Sequence, residues 1–126
     1  QIGSGSFGDV FLVRHRHDQR QYVMKSITLM STMDEKQRES TELEVRLLSI
    51  MRHPNIVAYR DSFTNREGHL CIFMEHCEYG DVYSYMREAK QAGILPDERI
   101  LLEWFIQTVF ALSALHQKRI LHRDLK

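Results

Sequence analysis

Glycine is placed where a chain must bend or leave room, and here it is placed in a pattern. Gly3-Ser4-Gly5-Ser6-Phe7-Gly8-Asp9-Val10 spells G-x-G-x-x-G-x-V. Residues without a Cβ let backbone N–H groups come close to an anion such as a phosphate. The pattern serves two architectures, a turn that opens a helix in a dinucleotide-binding fold and a hairpin whose last glycine runs into a strand. The first needs a helix after Gly8 and an acidic residue about 20 positions on for the ribose. Here Gly8 leads into the strand-like Val10 to Val13, and the charged residue at the end of the next strand is Lys25. A nicotinamide dinucleotide site therefore fails on context, and the phosphate loop G-x-x-x-x-G-K-[ST] is absent. The remaining alternative is a plain glycine-rich hairpin.

The first half of the chain reads as strands around one helix. Val10 to His15 and Tyr22 to Ile27 are short β-branched or aromatic segments joined through a polar turn at Arg16 to Arg20. Ile56 to Phe63 and Leu70 to Glu75 form a second pair around Gly68. The helix between the pairs starts at a capping box, Thr32 with Glu35, and its end is signalled by Pro54. After Glu75 the period changes. Asp81 caps a helix in which Val82, Tyr85, Met86 and Ala89 recur at i, i+3, i+4, i+7 before Gly93 stops it. A longer helix runs from about Pro96 to His116 and is apolar nearly all round, which predicts a buried helix. The class is α+β, with a boundary at Glu75 to Tyr79 between a sheet-rich lobe and a helical one.

Lys25 sits mid-strand, where an inward-pointing ammonium needs a partner; a solvated edge lysine is the alternative. In the first helix, at about 100° per residue, Leu48 and Met51 lie within about 40° of Glu44 and Leu47 within about 60°. Glu44 thus shares the apolar stripe, while Glu39, Glu42, Arg46 and Ser49 lie opposite. A carboxylate on a buried face needs a cation, and Lys25 is the candidate.

The chain closes on Ile120-Leu121-His122-Arg123-Asp124-Leu125-Lys126, and HRDLK opens the loop H-R-D-x-x-x-x-N. With the glycine pattern, the strand lysine and the phased glutamate before it in order, the chain resembles eukaryotic protein kinases along its whole length. Within them it is most similar to the NIMA-related serine/threonine kinases, through Glu44 to Phe63 and Phe73 to Met86. It departs from that family at His76 and Tyr79, where an aromatic and a glycine are usual. The resemblance implies a bilobal kinase fold with the small lobe complete over 1–75, a hinge over 76–79, and the first large-lobe helices over 80–126, cut inside the catalytic loop.

The same resemblance implies ATP and Mg2+ as cofactors and a protein Ser/Thr hydroxyl as acceptor. Gly3, Gly5 and Gly8 would cover the phosphates, and Lys25, oriented by Glu44, would reach the α- and β-phosphates. Ile2, Val10 and Val23 would sandwich the purine, Met74 would be the gatekeeper, Glu75 and Cys77 would offer backbone groups to adenine, and Asp81 would lie near the ribose. Asp124 would orient the acceptor hydroxyl, Lys126 would stabilise the transferring phosphoryl group, and Arg123 would sense a phosphorylated activation loop. The kinase metal ligands, a catalytic-loop Asn and a DFG Asp, would follow Lys126. The expectation is a fragment inactive alone, whose long apolar helix leaves exposed surface. A pseudokinase or scaffold is the alternative.

Charge adds exclusions. Seventeen Lys and Arg against seventeen Asp and Glu give a net charge of +0, which offers no electrostatic footprint for nucleic acid or an anionic membrane. Seven histidines show no zinc spacing, and no apolar run reaches the roughly 20 residues of a membrane span. Cys71 and Cys77 lack CxxC partners and read as reduced, hence intracellular and cytoplasmic. Cytoskeletal, centrosomal or ciliary association is what the family resemblance implies.

Overall fold

The computed structural model describes residues 1–5, 8–28 and 35–125, with the side chains of residues 35, 37, 38, 40, 42 and 44 outside that description. The chain divides into two compact units, Gln1–Arg52 with Val57–His76, and His53–Ile56 with Cys77–Lys126.

The first unit is built on a five-stranded antiparallel sheet in the order β1-β2-β3-β5-β4. Its strands are β1 (Gly3–Gly5), β2 (Gly8–Arg14), β3 (Gln21–Thr28), β4 (Tyr59–Thr64) and β5 (His69–Glu75). The glycine segment is itself the first hairpin, with Gly3 opposite Val10 and Gly5 opposite Gly8. Antiparallel partners share a face and neighbours in sequence alternate. Val10, Lys25 and Ile72 are therefore cross-strand neighbours on one face, as are Leu12, Val23 and Met74. Phe11, Met24 and Phe73 stand on the other.

Ile72 is 1% exposed and lies between Lys25 on β3 and Ser62 on β4, so the sheet's driest point adjoins the strand lysine. Burying such a side chain stabilises the fold by about 1.5–3 kcal/mol. Cys71 and Met51 complete the buried core of the described residues. Strand β4 begins three residues later than the alternation of Ile56 to Phe63 predicts. Pro54 belongs to a turn closed by the Ile56 N–H on the His53 carbonyl (3.1 Å) and the Asn55 N–H on His53 Nδ1 (3.1 Å). That turn holds Ile56 out of the ladder.

Helix α1 (Glu35–Ile50) packs against β4. It ends four residues before Pro54, and the Met51 N–H closes the last turn on the Leu48 carbonyl at 3.3 Å. Leu47, Leu48 and Met51 are shielded while Glu39, Arg46 and Ser49 are exposed, as the helical phase requires. Thr32, the expected cap, lies outside the described residues.

The second unit holds two helices. In α2 (Val82–Gln91), Asp81 caps the start by accepting the Ser84 N–H at 2.7 Å. Gly93, at φ 67°, ends it in the left-handed conformation that only glycine adopts freely, and the Ile94 N–H returns to the Ala89 carbonyl at 2.9 Å. In α3 (Glu98–Gln117) the start is fixed by Asp97, whose side chain accepts the Arg99 N–H at 2.8 Å. A cap at Asp97 places the start two residues after the Pro96 that the apolar pattern suggests. Tyr85 meets Trp104 edge-on, with ring centroids 5.1 Å apart, which ties α2 to α3.

Helix α3 is apolar on every face, yet none of its residues is buried, and Phe105 and Phe110 are 65% and 58% exposed. A buried helix is not what the structure shows; the exposed apolar surface expected of this helix is.

Candidate functional site

In the first unit the sheet register does most of the positioning. Gly3, Val10, Val23, Lys25 and Met74 fall on one face, across β1, β2, β3 and β5. Val10, Val23, Lys25 and Met74 are all half-buried, so the lysine shares its face with apolar residues. Glu44 belongs to α1 by backbone, but its side chain lies outside the described residues, and so does the expected Lys25–Glu44 pair.

The three loop glycines are not equivalent. A Cβ on Gly3 would meet only the Val10 side chain, at 3.7 and 3.9 Å, an ordinary contact. A Cβ on Gly8 would run into the Ser26 carbonyl oxygen, with the Ser26 carbonyl carbon at 3.0 Å and Ile27 Cα at 3.3 Å, and Gly8 has φ 113°. Gly8 is demanded by the sheet behind the loop, whereas the space at Gly3 would accept a Cβ. Gly5 pairs with Gly8 at the hairpin end. Ile2, expected against the purine with Val10 and Val23, lies just outside β1, is 56% exposed, and donates its N–H to the Val10 carbonyl at 2.8 Å.

At the end of β5, the Glu75 N–H is already given to the Ala58 carbonyl at 2.9 Å, which leaves Glu75 only its carbonyl to offer. The Cys77 carbonyl takes the Gly80 N–H at 3.2 Å, while the Cys77 N–H finds no acceptor among the described residues. His76 between Glu75 and Cys77 has its Nδ1 closed off from solvent without a hydrogen-bond partner among the described residues. Cys71 and Cys77 are both free thiols.

In the second unit, Asp81 is accounted for locally. The Ser84 N–H that it accepts holds its carboxyl below the ordinary carboxylate range. Asp124 is exposed, and its N–H is taken by His122 Nδ1 at 3.3 Å across Arg123, which has φ 62°. A non-glycine residue at positive φ is strained, and such strain gathers at functional positions. His122 is a residue that motif reading leaves without a role. The signal was its spacing, because a ring two residues before Asp124 can accept that N–H and fix the turn. Lys126 lies outside the described residues.

Among the described residues no group of three His, Cys, Asp or Glu side chains could hold a metal ion. No described helix is long and apolar enough to cross a membrane.

Comparison with known proteins finds relatives along the whole chain. The chain is 46% identical over 125 residues to the serine/threonine-protein kinase Nek4 of Mus musculus, which covers 99% of this chain and 15% of that protein. It is 44% identical over 126 residues to Nek1 of Mus musculus, covering 100% and 10%, and 39% identical over 128 residues to Nek11 of Homo sapiens, covering 100% and 20%. The chain thus spans less than a quarter of the length of the curated relatives it matches. The family model described as protein kinase domain matches residues 1–126, so that the glycine hairpin, the strand lysine beside Ile72 and the turn before Asp124 are covered in one match. With its sheet, its helices and its likeness to the Nek kinases, the chain belongs to the protein kinase domain family.

Proposed function

We propose that this chain carries the nucleotide-binding part and the opening of the catalytic loop of a serine/threonine kinase that moves the γ-phosphoryl group of ATP to a protein hydroxyl. The observation that carries the reading is the register Val10–Lys25–Ile72. It sets the half-buried Lys25 on the same face as Val23 and Met74, beside a hairpin in which a Cβ on Gly3 would touch only the Val10 side chain.

The roles follow from the groups. Amides of Gly3, Gly5 and Gly8 and the Lys25 ammonium bind and orient the phosphates, with Glu44 holding Lys25 in place. Ile2, Val10 and Val23 close on the purine and Met74 limits the depth behind it. The Glu75 carbonyl and Cys77 N–H meet the adenine edge, with Asp81 near the ribose. Asp124 accepts or orients the proton of the acceptor hydroxyl, and Lys126 stabilises the transferring phosphoryl charge. Catalysis by this set is positioning plus electrostatics. Mg2+ supplies charge neutralisation on the phosphates when bound. The setting is intracellular, with cytoskeletal, centrosomal or ciliary association, and the reading involves no nucleic acid and no membrane.

The test is phosphoryl transfer by the intact protein to matched Ser, Thr and Tyr acceptor peptides with radiolabelled ATP. Transfer to Ser or Thr that requires Lys25 is expected. Transfer to Tyr alone, or no transfer with ATP bound, would overturn the assignment, the second in favour of a scaffold.

A further inference from the structure

The second unit carries a groove that the nucleotide reading does not use. A cavity of about 650 Å³ is lined by one face of α2 and by the connection to α3 over residues 93–96. The α2 face consists of Tyr83, Met86, Arg87 and Lys90, at i, i+3, i+4 and i+7, so the four stand on one side of the helix. Gly93, at φ 67°, turns the chain back, and the Ile94 N–H on the Ala89 carbonyl at 2.9 Å fixes the connection to the end of the helix.

The walls are apolar and poorly covered. Tyr83 is 73% exposed, Ile94 63% and Leu95 91%. One exposed apolar residue is ordinary, but three around a single cavity mark a binding surface.

The charge of the lining has one sign. Arg87 and Lys90 are its charged members, and no carboxylate among the described residues lines it. The acidic residues close by in sequence are placed elsewhere. Asp81 gives its carboxyl to the Ser84 N–H at 2.7 Å and attracts Arg87 only from beyond ion-pair distance. Glu88 stands about 160° round the helix from Lys90. Asp97, at the start of α3, accepts the Arg99 N–H at 2.8 Å. Both cations can still bind an anion. The Arg87 guanidinium lies 6.0 Å from the Tyr83 ring centroid, and stacking of this kind engages its flat face while leaving the edge N–H donors for a carboxylate. Lys90 has no carboxylate within ion-pair distance among the described residues.

We propose that this groove docks an acidic segment of a partner protein, seating leucine-like side chains between Tyr83 and Leu95 and setting carboxylates against Arg87 and Lys90. Two cations and no anion in the lining give the charge complementarity, and the exposed apolar walls give the area to bury. The volume falls within the range of ligand sites, about 300–1,000 Å³, which is room for a few side chains. The groove residues have no role in the nucleotide reading, so each can fail without the other.

The experiment is fluorescence anisotropy of the intact protein with a labelled peptide, Ser-Glu-Leu-Leu-Glu-Ser, against versions with Lys for both Glu or Ser for both Leu. In an extended chain each face of this peptide presents one Leu and one Glu. Saturable binding of the first is expected, weakened at least about tenfold by Ser for both Leu and at least about threefold by Lys90→Ala. Leu95→Ser should also weaken it, and unchanged melting of both variants separates lost docking from lost fold. Arg87→Glu combined with Lys90→Glu should reverse the preference toward the Lys peptide, a gain that an unfolded groove would not show. Absence of saturable binding, equal binding of the Lys peptide by the wild type, or an unreversed preference in the double variant would each overturn the proposal. So would concentration-dependent self-association abolished by the double variant, because a second copy would then be the occupant.

Discussion

Gly8 on β2 and Ser26 on β3 are in such close apposition that the Ser26 carbonyl occupies the space of a Gly8 Cβ, and Gly8 has φ 113°. The contact lies one residue from the Val10–Lys25 pair, so it sets the register that carries the lysine. The last glycine of the loop therefore acts through the sheet. Gly8→Ala should destabilise the protein by about 1–3 kcal/mol through strain, whereas Gly3→Ala, with only Val10 to touch, should stay within about 1 kcal/mol of wild type. Urea unfolding of both variants checks this, and equal midpoints would refute it.

The Asp81 cap gives α2 a definite pH response. The Ser84 N–H lowers the folded carboxyl's pKa below its unfolded value. The cap's contribution is therefore present above the ordinary carboxylate value of about 3.9 and lost as pH falls through the lower folded value. Asp81→Ala should melt earlier than wild type at pH 7, the gap should close toward pH 3, and Asp81→Asn, which keeps an accepting oxygen, should retain most of the cap.

His76 leaves Nδ1 buried and without a partner among the described residues. A buried polar atom left unsatisfied costs about 1–3 kcal/mol, so His76→Phe should raise stability by about 1 kcal/mol in thermal unfolding. A loss of stability would show that the ring nitrogen is satisfied in solution.

Arg123 holds φ 62° one residue before Asp124. Arg123→Gly relieves the backbone and removes the guanidinium, while Arg123→Ala removes the guanidinium and keeps the strain. If the guanidinium's role is to sense a phosphorylated loop, both should lose the response of activity to phosphorylation, and only Ala should destabilise relative to Gly, by about 1 kcal/mol. Equal stability of the two would show the strain to be negligible.

What was legible in the sequence was what local chemistry decides. The glycine spacing, the β-branched segments of β2 and β3, and the Asp81 and Gly93 signals gave their elements to within a residue or two. Alternation along β3 put Lys25 and Val23 on one side, but only pairing with β5 shows that Ile72 and Met74 join them. The start of β4 was misjudged because Ile56-Val57-Ala58 is apolar enough for a strand while the turn at Pro54 holds it out. The apolar circumference of α3 reports a need for cover, which fits its exposed rings, and cannot report whether cover is present. The bulge at Arg60 in β4 and the groove beside α2 left no signal, since each is a property of two segments together.

The central claim, that the Lys25 face of the sheet and the turn at Asp124 serve phosphoryl transfer, is tested most directly by kcat in the intact protein carrying Lys25→Met or Asp124→Asn. Asp124 is exposed and Lys25 half-buried, so neither replacement should unfold the protein, and melting should confirm it. The account predicts a fall in kcat of at least about 10²-fold in each. Wild-type turnover in either variant would contradict it.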